Sequence, residues 1–292
     1  MPHALALLRA VLRRTHPDPS TPPPTTRLTA TRTTDPAHLA AYQHLCGFQE
    51  GHDRLPLTYP HVLAFPLSMR LMTARDFPLP LLGLVHTSIE IDQYQPLSPT
   101  EELHLSVRTT ALAPHRRGTE ATLLTEATSA DGELLWQSRS TYLARHKTQP
   151  TTAATTSAPH TEPQHEPAPG ANWQLPAGLG RRYASVSGDR NPIHLHALTA
   201  RPFGFPRAIA HGMWTAARCL AEQGKGKGKG ETPGPTPTHT HTHTHTLIEF
   251  KAPVPLPTTV TYSTPTPHTF ELRSPQGKLH LTGATEPTDA PP

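Results

Sequence analysis

The sequence holds only two cysteines, Cys46 and Cys219, far apart in the chain. That excludes a disulfide framework and any cysteine-based zinc spacing, and it makes a reducing compartment the default. No stretch approaches the ~20 consecutive apolar residues that a membrane-spanning helix needs. Charge is sparse as well: 16% of residues are charged, the net charge is +4 with His neutral, and the basic residues are spread out. A nucleic-acid partner would ask for a basic patch or stripe, so none is expected. Apolar residues make up 35% of the chain, below the globular norm, while prolines number 36. Both values follow if much of the 292-residue chain is linker rather than core.

Low-complexity segments divide the chain. Residues 1–34 are expected to be a flexible N-terminal extension, Pro/Thr-rich from Thr15 to Thr34. Within it, His3 to Arg14 reads as a short apolar helix carrying Arg9, Arg13 and Arg14, which loosely resembles an organellar transit peptide. Read as a frayed extension instead, it leaves the chain cytoplasmic, which is the expectation, with an organelle as the alternative. Residues 149–170 read as a linker between an N-terminal unit (35–148) and a C-terminal unit (171–292). The C-terminal unit carries a Gly/Lys and His/Thr-rich insert, 224–246, that offers nothing to a core.

The two units share an order of elements. In the first, Pro66 is placed to start a helix carrying Leu67, Met69, Leu71 and Met72. Strand character follows over Leu84–Gln93, Leu103–Val107, Ala121–Thr128 and Leu134–Leu143, with a turn at 130–132. In the second, a loop-rich stretch leads to a helix over Met213–Gln223. Strands are then expected at Leu247–Lys251, Thr258–Ser263, Thr269–Arg273 and Lys278–Ala284, the last two joined by a turn at 275–277. A helix followed by antiparallel strands, twice over, predicts an α+β fold and an internal duplication.

The chemistry is concentrated in residues 183–197, YASVSGDRNPIHLHA, followed 17 residues after His194 by His211-Gly212-Met213. Asp189 and His194 are five apart across Asn191-Pro192. Pro192 fixes φ and discourages helix at Asn191, so the chain turns and both side chains can face one pocket. Each residue has a blander reading: Asp189 alone would cap a turn in a string of turn formers, and His194 alone would be structural. Together with the downstream His-Gly, the string closely resembles the hydratase motif of the MaoC-like family. LTYPHVLAFPL at 57–67, GLVH at 83–86 and FKAPVPLP at 250–257 resemble other parts of its double hot-dog members.

That resemblance implies a double hot-dog fold, two central helices each wrapped by an antiparallel β-sheet, with the sheets joined side by side. It implies reversible hydration of trans-2-enoyl-CoA to (R)-3-hydroxyacyl-CoA, with Asp189 and His194 as acid–base pair and no metal or organic cofactor. Gly212, at a helix start, is implied as the donor to the thioester oxygen. Asn191 and Ser187 are implied as residues that hold the loop behind the pair. Tyr183, His196 and His211 read as structural. The N-terminal unit, lacking the string, is expected to be non-catalytic and to bind acyl group and carrier, with the pocket where the units meet. The alternatives are a 3-hydroxyacyl-ACP dehydratase, or a non-catalytic acyl-thioester-binding protein. The partner is an acyl-CoA or acyl-ACP substrate, and the chain is expected as a monomer or homodimer. The four imidazoles from His239 to His245 are able to take up Ni²⁺ or Zn²⁺, but in such a repeat they read as a tolerated loop insertion.

Overall fold

The computed structural model describes residues 18–51, 53–81, 83–148, 170–227 and 243–288. The transit-like segment, all but the last residue of the linker and most of the insert lie outside these. The first half runs β1 (Arg27–Arg32), α1 (Pro36–Cys46), α2 (Tyr59–Met72), β2 (Val85–Gln93), β3 (Leu103–His115), β4 (Gly118–Thr128) and β5 (Leu134–Arg145). The second runs β6 (Ala171–Leu175), α3 (Leu179–Ser187), the single-turn helices α4 (Pro192–Leu195) and α5 (Ala197–Ala200), α6 (Gly212–Lys227), β7 (His243–Phe250), β8 (Thr258–Ser263), β9 (Thr269–Arg273) and β10 (Leu279–Thr288).

All ten strands form one sheet in the order β1-β3-β4-β5-β2-β7-β10-β9-β8-β6, every pairing antiparallel. The half-sheets meet where β2 pairs with β7. Helix α2 packs on β3 and β4, and α6 packs on β9 and β10. A single apolar core runs through both halves, from Tyr42, Leu71 and Trp136 to Trp214, Ile248 and Phe270. This is the double hot-dog arrangement, with the sheets merged into one layer.

Several expectations are corrected. The extension is not flexible throughout: Arg27–Arg32 pairs with β3 as an edge strand. The first central helix begins at Tyr59 rather than Pro66. Pro60 takes the first-turn position, where a missing N–H costs nothing, and Pro66 is carried inside a helix whose buried face outweighs the lost bond. The insert is not loop to its ends, because α6 continues to Lys227 and β7 starts at His243. The alternation of His and β-branched Thr is itself a strand pattern, and here one edge of that strand pairs with β2.

Two elements of the first half position the motif of the second. Asp35 caps α1 by accepting from the N–H groups of Ala37 and His38. From α1, His38 donates through Nε2 to the carbonyl of Val186 (2.8 Å) and accepts from the Tyr59 hydroxyl (2.8 Å), tying α1, α2 and the end of α3 together. Trp214 of α6 donates to the carbonyl of Leu45 (3.1 Å). Within the second half, α3 lies directly on the His194 turn: a Cβ at Gly180 would stand 1.9 Å from the His194 carbonyl oxygen. Gly180→Ala is therefore expected to lower the urea midpoint by a stability loss of about 1–3 kcal/mol, the usual cost of overpacking. Gly178→Ala meets only the end of the Arg181 side chain, at 3.6 Å, and should leave the midpoint unchanged. Equal midpoints for the two variants would contradict the packing.

Candidate active site

The motif folds as a chain of caps. Helix α3 ends at Ser187, whose hydroxyl donates to the Tyr183 carbonyl (2.9 Å) and accepts from the Asp189 N–H (3.2 Å). Gly188 follows at φ +76°, a left-handed conformation that glycine adopts without penalty. Asp189 Oδ1 accepts from the Asn191 N–H (3.0 Å), and Asn191 caps α4 by accepting from Ile193 (3.4 Å). Pro192 supplies the first helical residue. Ser187, Asp189 and Asn191 thus each close a local turn, and Asp189 and His194 both line one cavity.

His194 is buried, and its Nδ1 donates to the Ile209 carbonyl at 2.8 Å. That bond selects the tautomer and leaves the Nε2 lone pair toward the cavity. His211, expected to be structural, belongs to the same cluster. Its Nε2 donates to the Asp189 carbonyl (3.0 Å) and lies 3.8 Å from Asp189 Oδ2. Its ring stacks on that of His194 with centroids 3.8 Å apart. Donor atoms of Asp189, His194 and His211 lie within 4.8 Å of one another, a spacing able to hold one metal ion or one water. Among the described residues the buried Nδ1 of His211 has no hydrogen-bond partner, and His211 and Tyr183 both line the cavity. Tyr183, expected as packing, contributes ring area as well, with its centroid 4.9 Å from that of His211. His196 lies outside the cavity lining.

The cavity encloses ≈ 800 Å³ between the halves. Gly212, the first residue of α6, lies on its wall, where the leading N–H groups of a helix have no acceptor within the helix. A Cβ there would press on the Phe250 ring at 3.1–3.2 Å. From the first half come apolar side chains of α2, Phe65 and Met69 among them, and two imidazoles, the buried His61 and the half-buried His86. His86 stacks on Tyr142 at 4.5 Å and lies 6.2 Å from His61. Both histidines lie in segments singled out in the sequence, 57–67 and 83–86, but nothing there assigns them chemistry; the meeting of the halves places them on the cavity with Asp189. Exposed cations, Arg116, Arg117, Arg145, Arg190 and Lys251, stand among the lining residues, with Glu120 and Glu249 as the opposing charges.

Burial sets the charge state of the imidazoles. Desolvation lowers His61 to about 4, against the pull of Asp189. It lowers His86 to about 3, with His61 adding to the effect. Desolvation and the neighbouring His194 lower His211 to about 3, and burial lowers His194 although Asp189 opposes the shift. All four are neutral at pH 7. Unfolded, they would take up protons near pH 6.5, so the unfolded state binds more protons from there down to about pH 3–4. Stability must then fall with pH across that window. Urea unfolding is expected to show a loss of at least about 2 kcal/mol between pH 6.5 and pH 5. A flat profile over that range would contradict neutral burial.

The family model for the MaoC like domain matches residues 158–264. The 3-hydroxyacyl-thioester dehydratase X of Mycobacterium tuberculosis is 40% identical over 190 residues, 64% of this chain and 65% of that protein, so the alignment spans a little under two thirds of the relative. The crystal structure of HtdX from the same organism, 32% identical, superposes with a TM-score of 0.73 over 90% of this chain and 100% of that one. A MaoC-like dehydratase from Phytophthora capsici shares 17% identity and the fold alone, with a TM-score of 0.66 over 92% of this chain and 97% of that one. A motif that resembles the family's hydratase string, a merged double hot-dog sheet and these matches lead to one conclusion: the chain belongs to the MaoC-like dehydratase family.

Proposed function

We propose that the chain catalyses the reversible addition of water to a trans-2-enoyl thioester, giving an (R)-3-hydroxyacyl thioester, with CoA as carrier. The observation that carries this reading is the placing of the Asp189 carboxylate beside the free Nε2 edge of His194 on one cavity wall. Hydration needs a base to take a proton from water as its oxygen bonds to C3, and an acid to deliver a proton to C2. A carboxylate and a neutral imidazole holding one water perform both tasks when the proton taken from that water as the C3–O bond forms is the one passed on to C2, so that the base of the first event is the acid of the second. Gly212, at the start of α6, offers an N–H where negative charge develops on the thioester oxygen, and a single donor of this kind is worth ~2.7–4 kcal/mol in the transition state. Ser187 and Asn191 close the turns that aim the pair. The apolar side of α2 suits the acyl chain, and the exposed cations suit a phosphate-bearing carrier.

The name of the Mycobacterium tuberculosis relative favours a second reading of the same chemistry, run as dehydration of a 3-hydroxyacyl thioester; in our second proposal the carrier is an acyl carrier protein in place of CoA. Both readings place catalysis in the second half and give the first half the acyl group and carrier to hold. Loss of enoyl absorbance on crotonyl-CoA and longer enoyl-CoA substrates, with EDTA present, tests the activity directly. On the best substrate, Asp189→Asn and His194→Ala should each lower kcat by ~10²–10⁴-fold with an unchanged circular dichroism spectrum. Near-normal turnover in a folded Asp189→Asn variant would remove Asp189 from the mechanism.

A further inference from the structure

Apart from the cavity, the described residues hold one other group of metal-ligating side chains, and it includes the end of the His/Thr tract. Strand alternation sends Ile89, Ile91, Thr246 and Ile248 to the core and their neighbours to the other face of the sheet. On that face Asp92 stands directly across from His245, at the seam of the two halves. Asp92 Oδ1 lies 2.8 Å from Nδ1 of His245 and 3.5 Å from Nε2 of His243. Glu90 Oε1 is 4.0 Å from the same His245 nitrogen. Donor atoms of Glu90, Asp92 and His245 all fall within 4.8 Å of one another. A tetrahedral ion with ligands at 2.0–2.1 Å separates its donors by about 3.3 Å, so small rotations of these side chains would close the shell.

The site is also braced from behind. Asp92 Oδ2 accepts from Gln137 (3.0 Å) and Arg139 (3.1 Å), which turns Oδ1 toward the histidines. Gln137 also donates to the Tyr94 hydroxyl (2.6 Å), and the Tyr94 ring lies flat on His243 with centroids 4.7 Å apart. Supporting contacts of this kind orient ligands in metal sites. Burial by itself would push the Asp92 carboxyl up, but hydrogen bonds from His245, Gln137 and Arg139 hold it below the ordinary carboxylate value. Arg139, which also lies 3.8 Å from Glu90, is the one competing cation at this cluster. Two carboxylates against one guanidinium leave a negative charge for a dication to meet.

We infer that His243, His245, Asp92 and Glu90 form a binding site for a first-row divalent cation of the zinc class, separate from the cavity, which staples β7 of the second half to β2 of the first. In the bound state His245 holds its hydrogen on Nε2, so Nδ1 turns a lone pair to the ion. Imidazole with carboxylate suits Zn²⁺ among the abundant candidates.

The test uses the full chain without an affinity tag, with Zn²⁺ followed by titration calorimetry and by thermal unfolding. One ion per chain should bind and raise the unfolding midpoint, and EDTA should reverse the rise. Asp92→Asn and His245→Gln should each weaken Zn²⁺ binding by at least about tenfold. The double variant His239→Gln/His241→Gln should keep it. Should Asp92→Asn fail to fold, His243→Gln serves in its place with the same expectation. Binding that is untouched by Asp92→Asn, His243→Gln and His245→Gln but lost in the His239/His241 variant would show chelation by the repeat alone and overturn the inference. Absence of Zn²⁺ binding to the parent chain would overturn it as well.

Discussion

Two half-sheets become one layer only because β2 and β7 pair, from Ser88 against Glu249 to Gln93 against Thr244. A lone half would leave a long strand edge open and one side of its helix uncovered, and each half supplies what the other lacks. The junction continues above the sheet, where α1 holds the end of α3 through His38 and receives the indole N–H of Trp214. The cavity opens beside this seam, lined by Val85 to Ser88 of β2 and by the chain from Glu249 to Val254. Its two-sided character depends on that pairing.

Placing four imidazoles in such a space has an energetic consequence. Burial keeps His61, His86, His194 and His211 neutral, so the cavity carries the charge of Asp189 against uncharged nitrogen lone pairs and N–H groups. For a base that must accept a proton from water at neutral pH this is the useful state, since a protonated His194 would have nothing to accept with. The bonds from His194 to Ile209 and from His211 to Asp189 settle which nitrogen of each ring carries hydrogen. His211 donates to the backbone carbonyl of Asp189 and stacks on the ring of His194.

What could be read from the sequence and what could not divide along physical lines. The turns at 130–132 and 275–277, and strands such as Thr258–Ser263 and Thr269–Arg273, were legible because alternation and turn chemistry are local. The site's catalytic candidates were legible because they sit in one turn, where Asn191-Pro192 dictates the backbone. Edge strand β1 was hidden because RLTATR, half exposed, offers little apolar alternation inside a Pro/Thr-rich stretch. The start of β7 was hidden by composition: a period-two pattern was present in the tract, but its face is lined by histidine rather than aliphatic residues. His61 and His86 lie in segments that were singled out, but their place in the cavity was hidden, since it is a property of how the halves meet.

The central claim is that Asp189 and His194 act on one water as a unit. The measurement that tests it most directly is kcat for the double variant Asp189→Asn/His194→Ala beside the two single variants. Residues that work as a unit lose their joint contribution with the first removal, so the double variant is predicted to be no slower than the slower single one. Losses that multiply in the double variant would contradict the account, because they would mean that the two side chains assist the reaction independently.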